Sequence, residues 1–306
     1  MRVPVAFGIY LAAIFIGGAL LAPPLHSLAT WASDPFPVLT KLAYQPFHRY
    51  VNRCFMVIAI LGLWPLSRIA KLGREDVGWK SDDQWTRQLF RGLAFGFVTL
   101  AIPALFCTLM GGRAIQWPQN ATLLAKHFGN AIGAAVLVSL LEESVFRGVV
   151  FGALRKHSSL AVAVAFSSSV YALVHFFERT QHEGDVVWTS GLALLPKMTR
   201  GFADWQMIVP GFFSLTIAGA ILASAVWKTG NLYFSIGLHA GWIFWLKSFK
   251  FFTREGGNSH AWLLGSEKLI DGWAAFFVLL VTLILLTRTN YFAGGIQNGE
   301  TTQGTG

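Results

Sequence analysis

Glu142 and Glu143 stand side by side in the run Ser139-Leu140-Leu141-Glu142-Glu143-Ser144-Val145-Phe146-Arg147, with no charge from Asn130 to Val138 or from Gly148 to Leu154. A carboxylate held at hydrocarbon depth is costly and persists where it faces a protein interior or a water-filled cavity. On a helix, Glu143 and Arg147 are four apart, share a face and can pair in the favoured acid-first order. Glu142 is rotated by about 100° from its neighbour, and its own i+4 position is Phe146. A buried carboxylate without a cation beside it holds its proton more tightly than a paired one. The spacing therefore makes Glu142 the better general base and Glu143 the better structural anchor.

Two histidines fall in other apolar runs. His175 follows Tyr171-Ala172-Leu173-Val174, and His239 lies in Ser235-Ile236-Gly237-Leu238-His239-Ala240-Gly241-Trp242-Ile243. A single histidine near a span is most often a helix-packing residue. Two of them beside a buried acid pair could instead activate water and stabilise an oxyanion, or bind a metal. The other histidines (His26, His48, His127, His157, His182 and His260) lie in or near the gaps between runs. His182-Glu183 lacks the second histidine of a zinc-protease helix, because position 186 is Val. Ser167, Ser168 and Ser169 fit helix packing better than nucleophilic catalysis.

The elements that must position these groups are membrane helices. The 306 residues are 54% hydrophobic and 13% charged, with 12 Trp and 26 Phe; soluble domains carry roughly 25% charged residues. The net charge of +9 sits mostly in short gaps between apolar runs, so it marks span flanks and excludes a nucleic-acid face. Cys54 and Cys107 imply neither a disulfide framework nor a metal cluster. Apolar runs near residues 4–22, 53–70, 91–111, 130–154, 158–177, 208–227, 231–250 and 271–288 predict an all-α bundle of about eight transmembrane helices. Each needs about 20 residues to cross. The first run reads as an uncleaved anchor, being long for a signal peptide. The short turns around residues 155–157 and 228–230 make the flanking helices antiparallel neighbours. Lys and Arg in the 68–91 gap favour cytoplasmic termini. Residues 178–206 read as a re-entrant or interfacial segment, or as a surface loop. No internal repeat is visible, which counts against a transporter plan.

At these residues the chain resembles the CPBP family of intramembrane proteases, which includes the type II CAAX prenyl endopeptidases and bacteriocin-processing or immunity proteins. The family pattern is Glu-Glu-x-x-x-Arg, then Phe-x-x-x-His, then His-x-x-x-Asn, on separate helices. Glu142, Glu143 and Arg147 match the first part; Tyr171 and His175 match the second with Tyr for Phe; His239 matches the third, with Ile243 in place of Asn. The resemblance spans residues 91–250. The chain thus reads as N-terminal spans and a connecting loop (1–90), a catalytic core carrying the resemblance (91–250), a C-terminal loop and last span (251–290), and a tail expected to be disordered from its polar composition (291–306).

By that resemblance, Glu142, helped by His175, deprotonates a water that attacks a peptide carbonyl, and His239 stabilises the oxyanion. Glu143 and Arg147 support the site. Ile243 cannot donate a hydrogen bond, so the Trp242 indole or the Tyr171 hydroxyl becomes the candidate replacement. No cofactor is implied; the variant is zinc held by Glu142, His175 and His239. The partners are a peptide or membrane-protein substrate and the lipid bilayer, in a multi-pass protein of a bacterial plasma membrane. Two other classes compete: a non-catalytic peptide-binding or immunity protein on this scaffold, and a small proton-coupled transporter.

Overall fold

The structure, a computed structural model, describes residues 3–288 apart from positions 81, 119, 179, 258 and 259. The tail expected to be disordered, 291–306, lies outside the described residues. The described chain is almost wholly helical, with one pair of three-residue strands. Helices cover all eight apolar runs. Four are long and apolar enough to cross a membrane: Val5–Ser33, Phe47–Ile69, Trp85–Leu109 and Trp205–Thr229. The apolar windows of the first three are mostly exposed, 28% to 39% buried, while that of Trp205–Thr229 is 56% buried. Ile132, Val136, Leu137 and Leu140 on the Ala121–Glu142 helix are exposed as well. Apolar surface on this scale belongs in lipid.

Residues 1–73 and 173–205 form one compact unit, and residues 74–172 and 206–306 a second. In the first, the N-terminal helix does not stop at Pro23-Pro24 as its sequence suggests. After a π turn at Ala13–Gly17 it continues as Gly18–Ser33. Pro23 has no N–H to donate to the Ala19 carbonyl one turn back. That carbonyl instead meets Gly191, where an added Cβ would lie only 1.9 Å from it. Gly191 belongs to a short helix, Ser190–Met198, so the 178–206 gap contains a packed element rather than a bare loop. Leu194 from this helix is buried with Ala22, Tyr50 and Val51.

The second unit is centred on the Trp85–Leu109 and Tyr233–Phe252 helices, which meet backbone to backbone. A Cβ on Gly92 would lie 2.1 Å from the Phe234 carbonyl oxygen, and one on Gly96 2.4 Å from that of Leu238. In return, a Cβ on Gly237 would lie 2.0 Å from the Leu89 oxygen, and one on Gly241 2.7 Å from that of Leu93. Two small-x-x-x-small pairs thus face each other. Leu100, Ile221, Leu222, Phe234, Leu238 and Leu279 fill the core beside them. Past this helix pair, Arg113–Ile115 and Thr253–Glu255 pair antiparallel, with Ala114 opposite Arg254. Buried Arg113 ties them by donating to Thr253 Oγ1 at 3.1 Å and to its carbonyl at 2.9 Å.

Candidate active site

The glutamate helix changes its winding at the acid pair. Glu142 is the last residue of the Ala121–Glu142 α-helix, and Glu143 opens a π-helical stretch, Glu143–Phe151. A turn closed by i→i+5 bonds holds more than 3.6 residues, so adjacent side chains diverge by less than in an α-helix. Gly148 and Gly152 pin the stretch: an added Cβ would be 2.7 Å from Val77 Cγ1 at the first and 2.9 Å from the Asp76 carbonyl oxygen at the second.

Glu143 is fully buried and paired as its spacing predicts, with Arg147 Nη1 3.2 Å from Oε1. The same oxygen also accepts from His239 Nδ1 at 2.9 Å. His239 sits between Gly237 and Gly241, two residues from each along the helix. It therefore projects away from the glycine seam and into the unit. A carboxylate held by Arg147 can only accept, so Nδ1 is the protonated ring nitrogen. Nε2 then faces two groups: Glu142 Oε2 at 3.8 Å and the Tyr171 hydroxyl at 3.4 Å. Glu142 thus faces a histidine from another helix, which i+4 spacing along its own helix does not disclose. Glu142 also keeps 29% of its side chain exposed where Glu143 keeps none.

Arg147 is sandwiched. Its guanidinium carbon lies 4.3 Å from the centre of the Tyr171 ring, and Nη2 donates to the Gly219 carbonyl at 3.5 Å. Phe146 packs edge-on against Tyr171, with ring centres 5.2 Å apart. The Gly219 backbone reaches Arg147 because Ser168 is small: a Cβ on Gly219 would lie 2.8 Å from that of Ser168. Ser167 donates to the Val164 carbonyl at 3.3 Å. Both serines therefore serve packing.

Two expected site residues are placed differently. The helix carrying Tyr171 ends at Val174, and a turn closed by Phe176 N–H donating to the Leu173 carbonyl at 3.2 Å takes over. His175 thus lies just beyond the helix rather than inside a span, with its side chain exposed, and it groups with the first compact unit. Trp242 spends its single N–H on Thr99 Oγ1 at 2.9 Å, with both residues buried. Ile243 is half-buried. Among the described residues, no three His, Cys, Asp or Glu side chains group as a set able to hold a metal ion.

Two carboxylates, one of them accessible, flank an imidazole whose far nitrogen is fixed. Such a set can take a proton from water and steady a developing negative charge. No curated protein and no solved structure matches the chain. Residues 124–245 match the family model described as "Type II CAAX prenyl endopeptidase Rce1-like", and this stretch contains both acids, Arg147, Tyr171, His175 and His239. Over these residues, which include the helices carrying the acid pair and the fixed imidazole, the chain is similar to the CAAX-protease family of intramembrane endopeptidases.

Proposed function

We propose that the chain is a glutamate-type endopeptidase that cleaves a membrane-associated peptide or protein within the bilayer. Glu142 takes a proton from a water as its oxygen attacks the scissile carbonyl carbon. The carbonyl π electrons move to oxygen; His239, entering the cycle as an imidazolium with a solvent-derived proton on Nε2 and its charge balanced by Glu143, donates to that oxyanion and keeps its proton. Tyr171, beside Nε2, is the second donor. When the C–N bond breaks, the proton on Glu142 passes to the leaving amine. Arg147 holds Glu143 in its charged form and fixes its direction. The role of His175, assisting Glu142, rests on the motif.

The observation that carries this reading is the Glu143–His239 contact at 2.9 Å, which turns Nε2 toward both Glu142 and Tyr171. An oriented base beside a second functional group is the logic of catalytic triads. In this reading Glu142 activates the water without a metal. We place the protein in a bacterial plasma membrane with about eight crossings. Prenylated CAAX peptides, the class suggested by the description of the matching family model, are the first to assay.

The test is peptide mass spectrometry on proteoliposomes containing the wild type, Glu142→Gln or His239→Ala. Loss of product with either variant, while both still insert and fold, supports the reading. Normal turnover by Glu142→Gln rules out Glu142 as the base, whereas no product even from the wild type would leave a peptide-binding scaffold.

A further inference from the structure

Away from the acid–histidine cluster, the second unit holds a cavity of about 590 Å³ between the start of the glutamate helix and the end of the histidine helix. Its wall includes Trp117, His127, Asn130, Lys247, Lys250 and Phe251. Lys247 lies about 12 Å along its helix from His239, and His127 about 22 Å along its own from Glu142, so this is separate space. The volume falls within the range of small-ligand sites, about 300–1,000 Å³.

Two lysines line the wall, and no carboxylate does. Lys250 is already paired with Glu267. Lys247 is exposed and forms no ion pair among the described residues. The His127 ring is clamped flat against Phe251, with centres 3.9 Å apart and planes 6° apart. Clamped this way, its Nε2 is buried with no hydrogen-bond partner. A buried polar atom without a partner is uncommon in a native fold and points to a group that completes it. Gln116, also on the wall, is fixed by its backbone N–H donating to the Phe252 carbonyl at 2.8 Å.

The surroundings indicate headgroup depth. Trp117 is 77% exposed at the rim, next to exposed Ile115, and tryptophan beside lysine is the residue pairing of the membrane–water interface. A free phosphate would fill little of the cavity, whereas a phosphodiester with its glycerol and first methylenes would fill much more. Basic pockets between membrane helices take anionic lipid headgroups for this reason.

We propose that this cavity binds the headgroup phosphate of an anionic phospholipid, with Lys247 supplying the charge and the Asn130 amide a hydrogen bond, joined by His127 Nε2 when its ring tilts off Phe251 toward the cavity. The site is independent of the proteolytic reading, since none of its residues belongs to the acid–histidine cluster.

Native mass spectrometry of the full chain, released from detergent with dioleoyl phosphatidylglycerol or dioleoyl phosphatidylcholine, tests this. The wild type is expected to retain phosphatidylglycerol preferentially. Lys247→Ala should lower that retention by about fivefold, the factor expected for one basic contact at a membrane surface. His127→Ala should lower it less, and Lys247→Arg should preserve it. Lys247 is exposed, so its variants are expected to fold; an unchanged melting temperature in detergent verifies that. Equal retention of the two lipids overturns the proposal, as does retention unaffected by Lys247→Ala. Displacement of the lipid by millimolar inorganic phosphate reassigns the cavity to free phosphate. Displacement by a peptide with a free carboxylate, but not by its amidated form, reassigns it to substrate. Either displacement overturns the lipid assignment.

Discussion

His239 Nδ1 and Glu143 Oε1 lie 2.9 Å apart in a fully buried contact that joins two helices 96 residues apart in sequence. This contact divides the labour of the two adjacent acids. Glu143 has Arg147 on one side and His239 on the other, so removing it strands a buried cation and frees the imidazole. Removing one partner of a buried pair typically costs about 3–5 kcal/mol. Glu143→Ala should therefore lower the melting temperature in detergent and abolish cleavage together. Glu142→Gln should abolish cleavage with stability changed by less than about 1 kcal/mol, because that side chain is 29% exposed. Thermal unfolding and product analysis on the same preparations distinguish the two roles; equal destabilisation by both would refute the division.

The glycine seam makes the position of His239 sensitive to single methyl groups. A Cβ on Gly237 would fall 2.0 Å from the Leu89 carbonyl oxygen, which is backbone and cannot swing aside. Overpacking of this kind costs about 1–3 kcal/mol or more, and relief requires the histidine helix to move. Gly237→Ala is expected to destabilise the protein and to lose activity even though it touches neither acid. Gly133→Ala, where nothing lies within 4 Å of the new Cβ, is the matched control. It should be neutral or stabilising by up to about 1 kcal/mol. Differential scanning fluorimetry of both variants checks the contrast.

Several of these features can be read in the chain before it folds, and the distinction is physical. The Glu143–Arg147 pair is local, and helical periodicity alone brings it together. The glycines of the histidine helix are legible as a close-approach surface, but their partners Gly92 and Gly96 come from a run with no polar marker. Contacts such as Glu143–His239 and Trp242–Thr99 span long loops, and one sequence holds no register for them. The end of the helix at Val174 was hidden because Phe176 and Phe177 continue the apolar run through the turn. The π stretch likewise leaves no mark in residue type.

Trp242 and Ile243 make separable predictions. The Trp242 N–H is given to Thr99, so Trp242→Phe should cost about 1 kcal/mol of stability while cleavage persists. If Trp242→Phe instead abolishes cleavage with the fold intact, the indole is a transition-state donor and Tyr171 is not the substitute. Ile243 lies one helical turn beyond His239 and is half-buried. Ile243→Asn adds an amide donor there. A lost oxyanion donor typically costs about 100-fold or more in rate, so regaining one should raise kcat clearly, by about tenfold or more if Tyr171 only partly replaces it. Single-turnover rates of the two variants measure both effects.

The partners of each group in the cluster bear on metal dependence. Catalytic zinc takes three protein ligands and keeps a fourth position for water. Of the groups in the cluster, Glu143 is held by Arg147 and His239, and Nδ1 of His239 is held by Glu143. Only Glu142 and His239 Nε2 are then turned toward shared space, and a third ligand would have to be His175. Incubation with EDTA or 1,10-phenanthroline should therefore leave turnover unchanged, and elemental analysis of the purified protein should find zinc well below one atom per chain. Activity lost on chelation and restored by added zinc would replace the glutamate-base mechanism with a metal-bound water. The same outcome would make His175→Ala lower zinc content, a change that a proton-relay role for that histidine would not produce.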